Sequence, residues 1–214
     1  MWVDILGSDG EPVGPGPITT ATGFRYTQRL GRAGEWELRV PAAEPRLKHA
    51  TLKRELHCYA YISGQKRWMG GGQLEQRTVS ISDNVPEMVL SGNDPLYELA
   101  RYPVNLEINY DSPDIGNGIW RKLFSAAGVT GWNLTIEGDT PPVVIRFAGE
   151  SLLNCLITLC QKTGKIFTLF PTSAGEFRHI FISSNVAITG ILATNQIAPL
   201  AIERNVNSCM IDKI

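Results

Sequence analysis

The chain has 214 residues, 43% of them hydrophobic and 19% charged, with a formal net charge of −1. That length allows one large β-domain or two modest ones, with core enough to fold without staples. Charge is balanced along the chain, with 11 Lys/Arg against 11 Asp/Glu in residues 1–95, 7 against 8 in 96–180 and 2 against 2 in 181–214, which excludes a basic face that binds nucleic acid by counterion release.

The opening "MWVDILGSDG" has no basic stretch leading into an apolar one, so no secretion signal is expected. No apolar run approaches the length of a membrane span. A first strand, "WVDIL", precedes the loop "GSDGEPVGPGP", which is unfit for a central ladder because proline lacks a donor. The β-branched "ITTATGFRYTQRL" (18–30) predicts a long bent strand, and "GRAG" turns the chain into "EWELRV". There Trp36, Leu38 and Val40 share one face, with Glu35, Glu37 and Arg39 on the other, the period of a strand with one wet side. After "AAEPRLKHATL", a connection with one helical turn, "ELHCYAYI" and "RWMGGGQLEQRTVSI" form a hairpin around "SGQK". A break at "DNVPE" leads to "MVLSG". So many short strands within a hundred residues predict a small barrel or sandwich.

The pattern changes at "MVLSGNDPLYELARYPV". Asp94 or Asn93 caps a short helix with Pro95 at its first position. "DSPDIGNGIWRKLFSAAG" predicts a helix capped by Ser112 and stopped by Gly128, weakened in its first half by Gly116 and Gly118. "GWNLTIEGDTPPVVIRF" predicts two short strands around a turn. "ESLLNCLITLCQKTG" is a second helix, from Ser151 to Gly164, and "KIFTLFPTSAGEFRHIFIS" a β-hairpin. The expected domains are therefore a β-domain at 1–95, a helix-strand-helix-hairpin insert at 96–183 and a return segment at 184–214, which ends within a strand and reads as incomplete.

The search for chemistry is negative. "MGGGQ" lacks the Lys-Ser/Thr that a phosphate-binding loop needs, so its glycines predict a bulge or a close backbone approach. His49, His57 and His179 have no metal-ligand spacing. Cys155 and Cys160 point about 140° apart on their helix, and with Cys58 and Cys209 they are expected to be reduced, mostly buried thiols. Glu35 and Glu37 belong to a solvated strand face. Trp36, Tyr59, Tyr61 and Trp68 suggest a stacking platform, but aromatics also fill small β-cores. No catalytic, cofactor-binding or metal-binding residue is expected.

The order of segments is the specific signal. It runs through "GEWELRVP", "RWMGGGQLEQ", "MVLSGNDPLYELARYPV", "IWRKLFSAAGV" and "IRFAGESLLNCLITLCQKTGKIFTLF". Over residues 30–170 this resembles the N-terminal half of phage tail hub proteins, the tail-tip or baseplate hub family, and of the related type VI secretion spike protein VgrG. The matching positions are Gly34, Trp36, Leu38 and Pro41, then Gly71 or Gly72, then Gly92, Asp94, Leu96, Leu99 and Arg101. Leu123, Gly128, Phe147, Glu150, Ser151, Leu156, Gly164 and Phe167 match in the insert. Asn93 and Pro95 depart from the family's joint, and the spike and lysozyme parts of some relatives are absent.

The resemblance implies a mainly β fold with an α/β insert: a tube-type β-barrel, the inserted domain, then a return toward a second barrel near residue 195. Gly92, Asp94, Leu99 and Arg101 become the structural joint, with Asp94 capping the first turn and Arg101 tying it back to the barrel. The implied protein is a non-enzymatic homotrimeric ring of the virion tail, assembled in the host cytoplasm and without a cofactor. Its partners are a distal-tail or tail-tube protein and a tape-measure or tip/spike protein, and DNA passes through its channel. The alternatives are a distal-tail baseplate protein, expected to be sixfold, and a carbohydrate-binding or hydrolytic tail module.

Overall fold

In the computed structural model, residues 1–7, 10–62, 64–82, 85–171 and 177–184 are described, with the backbone of 200–202. They divide into two units. The first is made by Met1–Gln28 and Gly34–Pro95 with the strand Leu200–Ile202, the second by Arg29–Ala33 and the chain from Leu96 to residue 184. The division is thus not a single cut: five residues between the second and third strands pack with the second unit, where the Gly31 amide donates to the Phe167 carbonyl at 2.8 Å.

The first unit is one sheet. Its strands are β1 (Trp2–Leu6), β2 (Gly23–Thr27), β3 (Glu35–Pro41), β4 (Glu55–Ile62), β5 (Gln65–Ser82) and β6 (Val85–Asn93). They pair antiparallel in the order β1-β4-β5-β6-β3-β2, and Leu200–Ile202 adds in parallel to β2. The order is open among the described residues, so these pairings do not close the tube-type barrel that the resemblance implies. The sheet is nonetheless rolled. β2 and β5 are separated by two strands in the order, yet the Tyr26 ring lies 2.5 Å from where a side chain on Gly70 would begin. The roll encloses Val3, Ile5, Phe24, Trp36, Leu38, Val40, Leu56, Leu74 and Leu90, all buried.

Strand period explains which side faces in. Trp36, Leu38 and Val40 of β3 are buried, while Glu35 and Arg39 are exposed. The long bent strand expected at 18–30 is shorter, Gly23–Thr27, because Ile18 serves β1 instead. Ile18 exchanges backbone hydrogen bonds with Val3, and Val13 donates to Ile5, so the proline-rich loop covers the outer edge of β1. A 3-10 helix, Pro45–Lys48, begins at Glu44, which accepts hydrogen bonds from the Arg46 amide and the Thr20 hydroxyl. The glycine run of β5 sits at a bulge against β4, and its φ angles of 148°, 141° and 147° suit glycine alone.

The second unit has β7 (Pro103–Tyr110), α1 (Gly118–Ala126), β8 (Asn133–Ile136), β9 (Val143–Ser151), α2 (Leu152–Thr163), β10 (Ile166–Leu169) and β11 (His179–Ser183), after a 3-10 helix at Pro95–Arg101. β7 is additional to the expected elements. The two strands expected to flank one turn belong to different sheets: β9 pairs with β7, while β8 pairs in parallel with β11 of the β10–β11 hairpin. α1 starts at Gly118 rather than at Ser112, because Pro113, Gly116 and the left-handed Asn117 fill a turn. Asn117, not Ser112, is the N-cap and its side chain makes no capping bond; Asp114, three residues before it, accepts the Ile119 amide of the first turn at 2.8 Å. α2 has the expected ends, with the Ser151 hydroxyl accepting from the Asn154 amide and Gly164 left-handed. Both helices bury their apolar stripes, among them Trp120, Leu123, Leu156 and Leu159, and the Trp120 indole N–H donates to Thr140. Of the return segment, the described strand Leu200–Ile202 (β12) joins the first sheet, and the rest lies outside the described residues.

Glu44 gives this fold an acid-sensitive tie. The Thr20 hydroxyl, and after it the Arg46 amide and guanidinium, hold the buried Glu44 carboxyl below its ordinary 4.5. A lowered folded pKa contributes stability above the unfolded value, and that stability is lost as pH falls through the folded one. Thr20→Val is expected to leave the folded protein less stable near neutrality and to flatten its loss of stability below pH 4.5, checked by urea unfolding at a series of acidic to neutral pH values.

Candidate functional site

The four joint residues lie where β6 ends and the first 3-10 turn of the second unit begins. Gly92 pairs with Trp36 of β3 and with Leu74 of β5. A side chain on Gly92 would begin 1.9 Å from the Gln73 carbonyl oxygen and 3.1 Å from the Trp36 ring. The Trp36 indole N–H, itself buried, donates to the Asn93 carbonyl at 3.1 Å. Gly72 of β5 is equally confined, with the Asn93 carbonyl 2.2 Å from its missing side chain.

Asp94 locks this corner. Its amide donates to the Gly34 carbonyl at 3.0 Å, and its Oδ2 accepts the Gly34 amide at 2.8 Å and the Tyr26 hydroxyl at 3.1 Å. The residue is 2% exposed. A buried carboxylate needs donors to offset its lost hydration, and backbone and hydroxyl donors at these distances supply them. Gly34 must be glycine, since a side chain there would begin 2.7 Å from the carboxylate it serves. The role expected of Asp94 is a local cap; the bonds described for its carboxylate are long-range, joining β2, the start of β3 and the end of β6. Leu99 is buried in the 3-10 helix, and Arg101 ends that helix exposed.

Three partners escaped sequence reasoning. Tyr26 reaches Asp94 across 68 positions, and Glu98 binds the Arg178 guanidinium at 2.9 Å across 80. Tyr102 donates to the other Glu98 oxygen at 3.1 Å, and burial, then the Glu98 charge, pushes its phenol pKa up. Only the four-residue spacing of Glu98 and Tyr102 was a local signal.

Elsewhere the polar groups are structural in geometry. His57 is buried; its Nδ1 accepts from the Trp68 indole N–H at 2.9 Å, so the proton sits on Nε2, which faces Glu55 at 3.1 Å. Cys58, Cys155 and Cys160 are free and buried, and burial raises each thiol, Cys155 to about 11 and Cys160 to about 12. Cys209 lies outside the described residues. Among the described residues no group of three His, Cys, Asp or Glu could hold a metal, and no helix is long and apolar enough to cross a membrane. Trp36 and Tyr59 are buried while Tyr61 is exposed, so the aromatics proposed as a platform do not share an open face.

No protein-family model matches the sequence, and neither does any curated protein. Solved structures do. The E. coli c3393 protein, described as a type VI secretion component structurally similar to the T4 tail proteins gp27 and gp5, matches with TM-score 0.57 and 12% identity over 86% of this chain and 49% of its own. The 43 kDa tail protein of prophage MuSo2 from Shewanella oneidensis matches with TM-score 0.54 and 14% identity, over 85% and 53%. Prophage tail protein gp18 from Listeria monocytogenes matches with TM-score 0.54 and 11% identity, over 86% and 50%. The chain has the fold of phage tail proteins. It spans about half the length of these structures. The likeness to tail proteins read from segment order is thus matched by solved structures, and the mainly β character is observed, whereas the pairings of the described residues do not close the expected barrel; at these identities the likeness speaks of fold alone.

If Asp94 holds the corner, Asp94→Ala is expected to cost about 3 kcal/mol by leaving the Gly34 amide and Tyr26 hydroxyl without their acceptor, and Tyr26→Phe about 1 kcal/mol. In urea unfolding the double variant is expected to fall short of the sum, since both changes break one bond. Strict additivity would show that the two do not interact.

Proposed function

We propose that the chain is a structural hub of a phage-type tail: a non-catalytic component of the virion that joins the tail tube to the distal tip as a closed threefold ring around a channel. The observation that carries this reading is the likeness of fold over 85–86% of the chain to proteins described as prophage tail proteins. The c3393 description, which places that fold in type VI secretion and likens it to T4 tail proteins, supports the same reading.

The rolled sheet becomes the tube-type barrel of the ring, with β12 as the strand added beside β2. Gly92, Asp94, Leu99 and Arg101 form the joint at which the chain passes from the first unit to the second. The balance of 11 basic against 11 acidic residues in 1–95 suits a channel wall along which DNA slides without sticking. A tail-tube or distal-tail protein binds one side of the ring, and a tape-measure or tip/spike protein the other.

Cryo-electron microscopy of the assembled particle tests this. Threefold density at the junction of tube and tip, fitted by the first unit against the channel, is the expected result. Sixfold density there would assign the chain to the distal-tail position instead, and its absence from the particle would overturn a tail role.

A further inference from the structure

Among the described residues one strand is paired on one edge only along part of its length. β5 is 18 residues long, but β4 covers its outer edge only as far as Gln73, with Lys53 and Arg54 bonding Leu74 just beyond. From residue 76 to 82 no described strand lies on that edge, although β6 pairs the other edge throughout.

Which backbone groups face the open edge follows from β6. Pro86 directs its carbonyl away from β5, accepting from the Ala42 amide at 3.0 Å. Its partner on β5 is Ile81. In an antiparallel ladder, a residue whose partner bonds away from it points its own N–H and C=O outward as well. Ile81 therefore faces the open edge, and by the two-residue period so do Val79 and Arg77. The side chains agree with a surface awaiting cover. Val79 is 61% exposed and Ile81 74% exposed, on one face. The run "QRTVSIS" has no proline, glycine or lysine; its edge protection is limited to the single charge of Arg77 and the bulge between Leu74 and Gln76 at its start. The β1 edge, by contrast, is covered by a proline-bearing loop.

We propose that in the free protein this edge is covered by the same edge of a second copy, β5 against β5 in antiparallel two-fold pairing centred on Val79. This register pairs the whole run: Val79 meets Val79 of the second copy, Arg77 meets Ile81, and Thr78 meets Ser80. The outward groups of Arg77, Val79 and Ile81 then form about six backbone hydrogen bonds. The exposed valines and isoleucines of both copies gather on one face, and no arginine stands opposite another. The other face pairs Gln76, Thr78 and Ser80 without a charge. A contact of this kind is isologous and closes at two copies. Its small size makes it weak and concentration-dependent. It does not rest on the ring reading, which concerns the assembled tail.

Cysteine cross-linking of the full chain reads the register. Paired residues that exchange both hydrogen bonds stand about 5.5 Å apart at Cα, within disulfide reach. Val79→Cys is expected to give a disulfide-linked dimer under mild oxidation. Ile81→Cys, about 13 Å from its own copy in this register, is expected not to, nor is the unaltered protein. Sedimentation at about 100 μM is expected to show a dimer that Val79→Lys with Ile81→Lys abolishes, while circular dichroism of that variant stays unchanged because both side chains are exposed. A monomer at all concentrations would overturn the proposal, as would equal cross-linking at both positions. So would a dimer that survives the lysines. A trimer would overturn it too and would favour the ring; a dimer alongside a sixfold particle would retain it and reject the hub.

Discussion

The hydrogen bonds between Asp94 and Gly34 are the constraint on which the first unit depends. Gly34 immediately precedes β3 and Asp94 immediately follows β6, so their bonds carry the β3–β6 ladder one step past its last strand pair. The Tyr26 hydroxyl brings β2 to the same carboxylate. A sheet rolled tightly enough to set Tyr26 against Gly70 of β5 forces backbones together at its corner. Gly34, Gly72 and Gly92 are the positions where that closeness leaves no room for a side chain. Removing one bond at such a corner strands buried donors, which costs more than the bond contributes when made.

At the corner the carboxylate is held by backbone and phenol; elsewhere the His57 ring bonds Trp68 and faces Glu55, and three thiols are buried. In the proposed tail role, load passes between tube and tip, and a sheet pinned by backbone contacts yields less than one held by long side chains. The second unit resumes at Leu96, two residues after Asp94, so the residue that closes the sheet stands next to the point where the chain leaves it.

Much of this was legible in the sequence where the signal was local. The alternation in "EWELRV", the Ser151 and Gly164 ends of α2 and the hairpin around residue 64 depend on neighbours a few positions apart. The glycine run read correctly as a bulge with close backbone approach, since no phosphate-binding lysine followed it. The misses share a different cause. "PVNLEINY" alternates only weakly and its partner, β9, lies some forty positions on, so no strand is expected there from the sequence. The β8 and β9 strands looked like a hairpin because a turn joined them, although each found its partner elsewhere. Ser112 looked like a cap until Pro113, Gly116 and Asn117 took the first turn away. For the joint, Gly92 and Asp94 were found through the order of segments, whereas Tyr26, Glu98 and Arg178 meet their partners only once the chain is folded.

Native-state hydrogen exchange at the Gly34 and Asp94 amides tests the central claim most directly. If these bonds hold the roll closed, both amides should exchange only through global unfolding, with the same opening free energy as the amides of Leu38 and Leu90 in the buried core. Exchange through a local opening, well below the global free energy and insensitive to denaturant, would show that the corner opens while the sheet stays intact. That result would contradict the account.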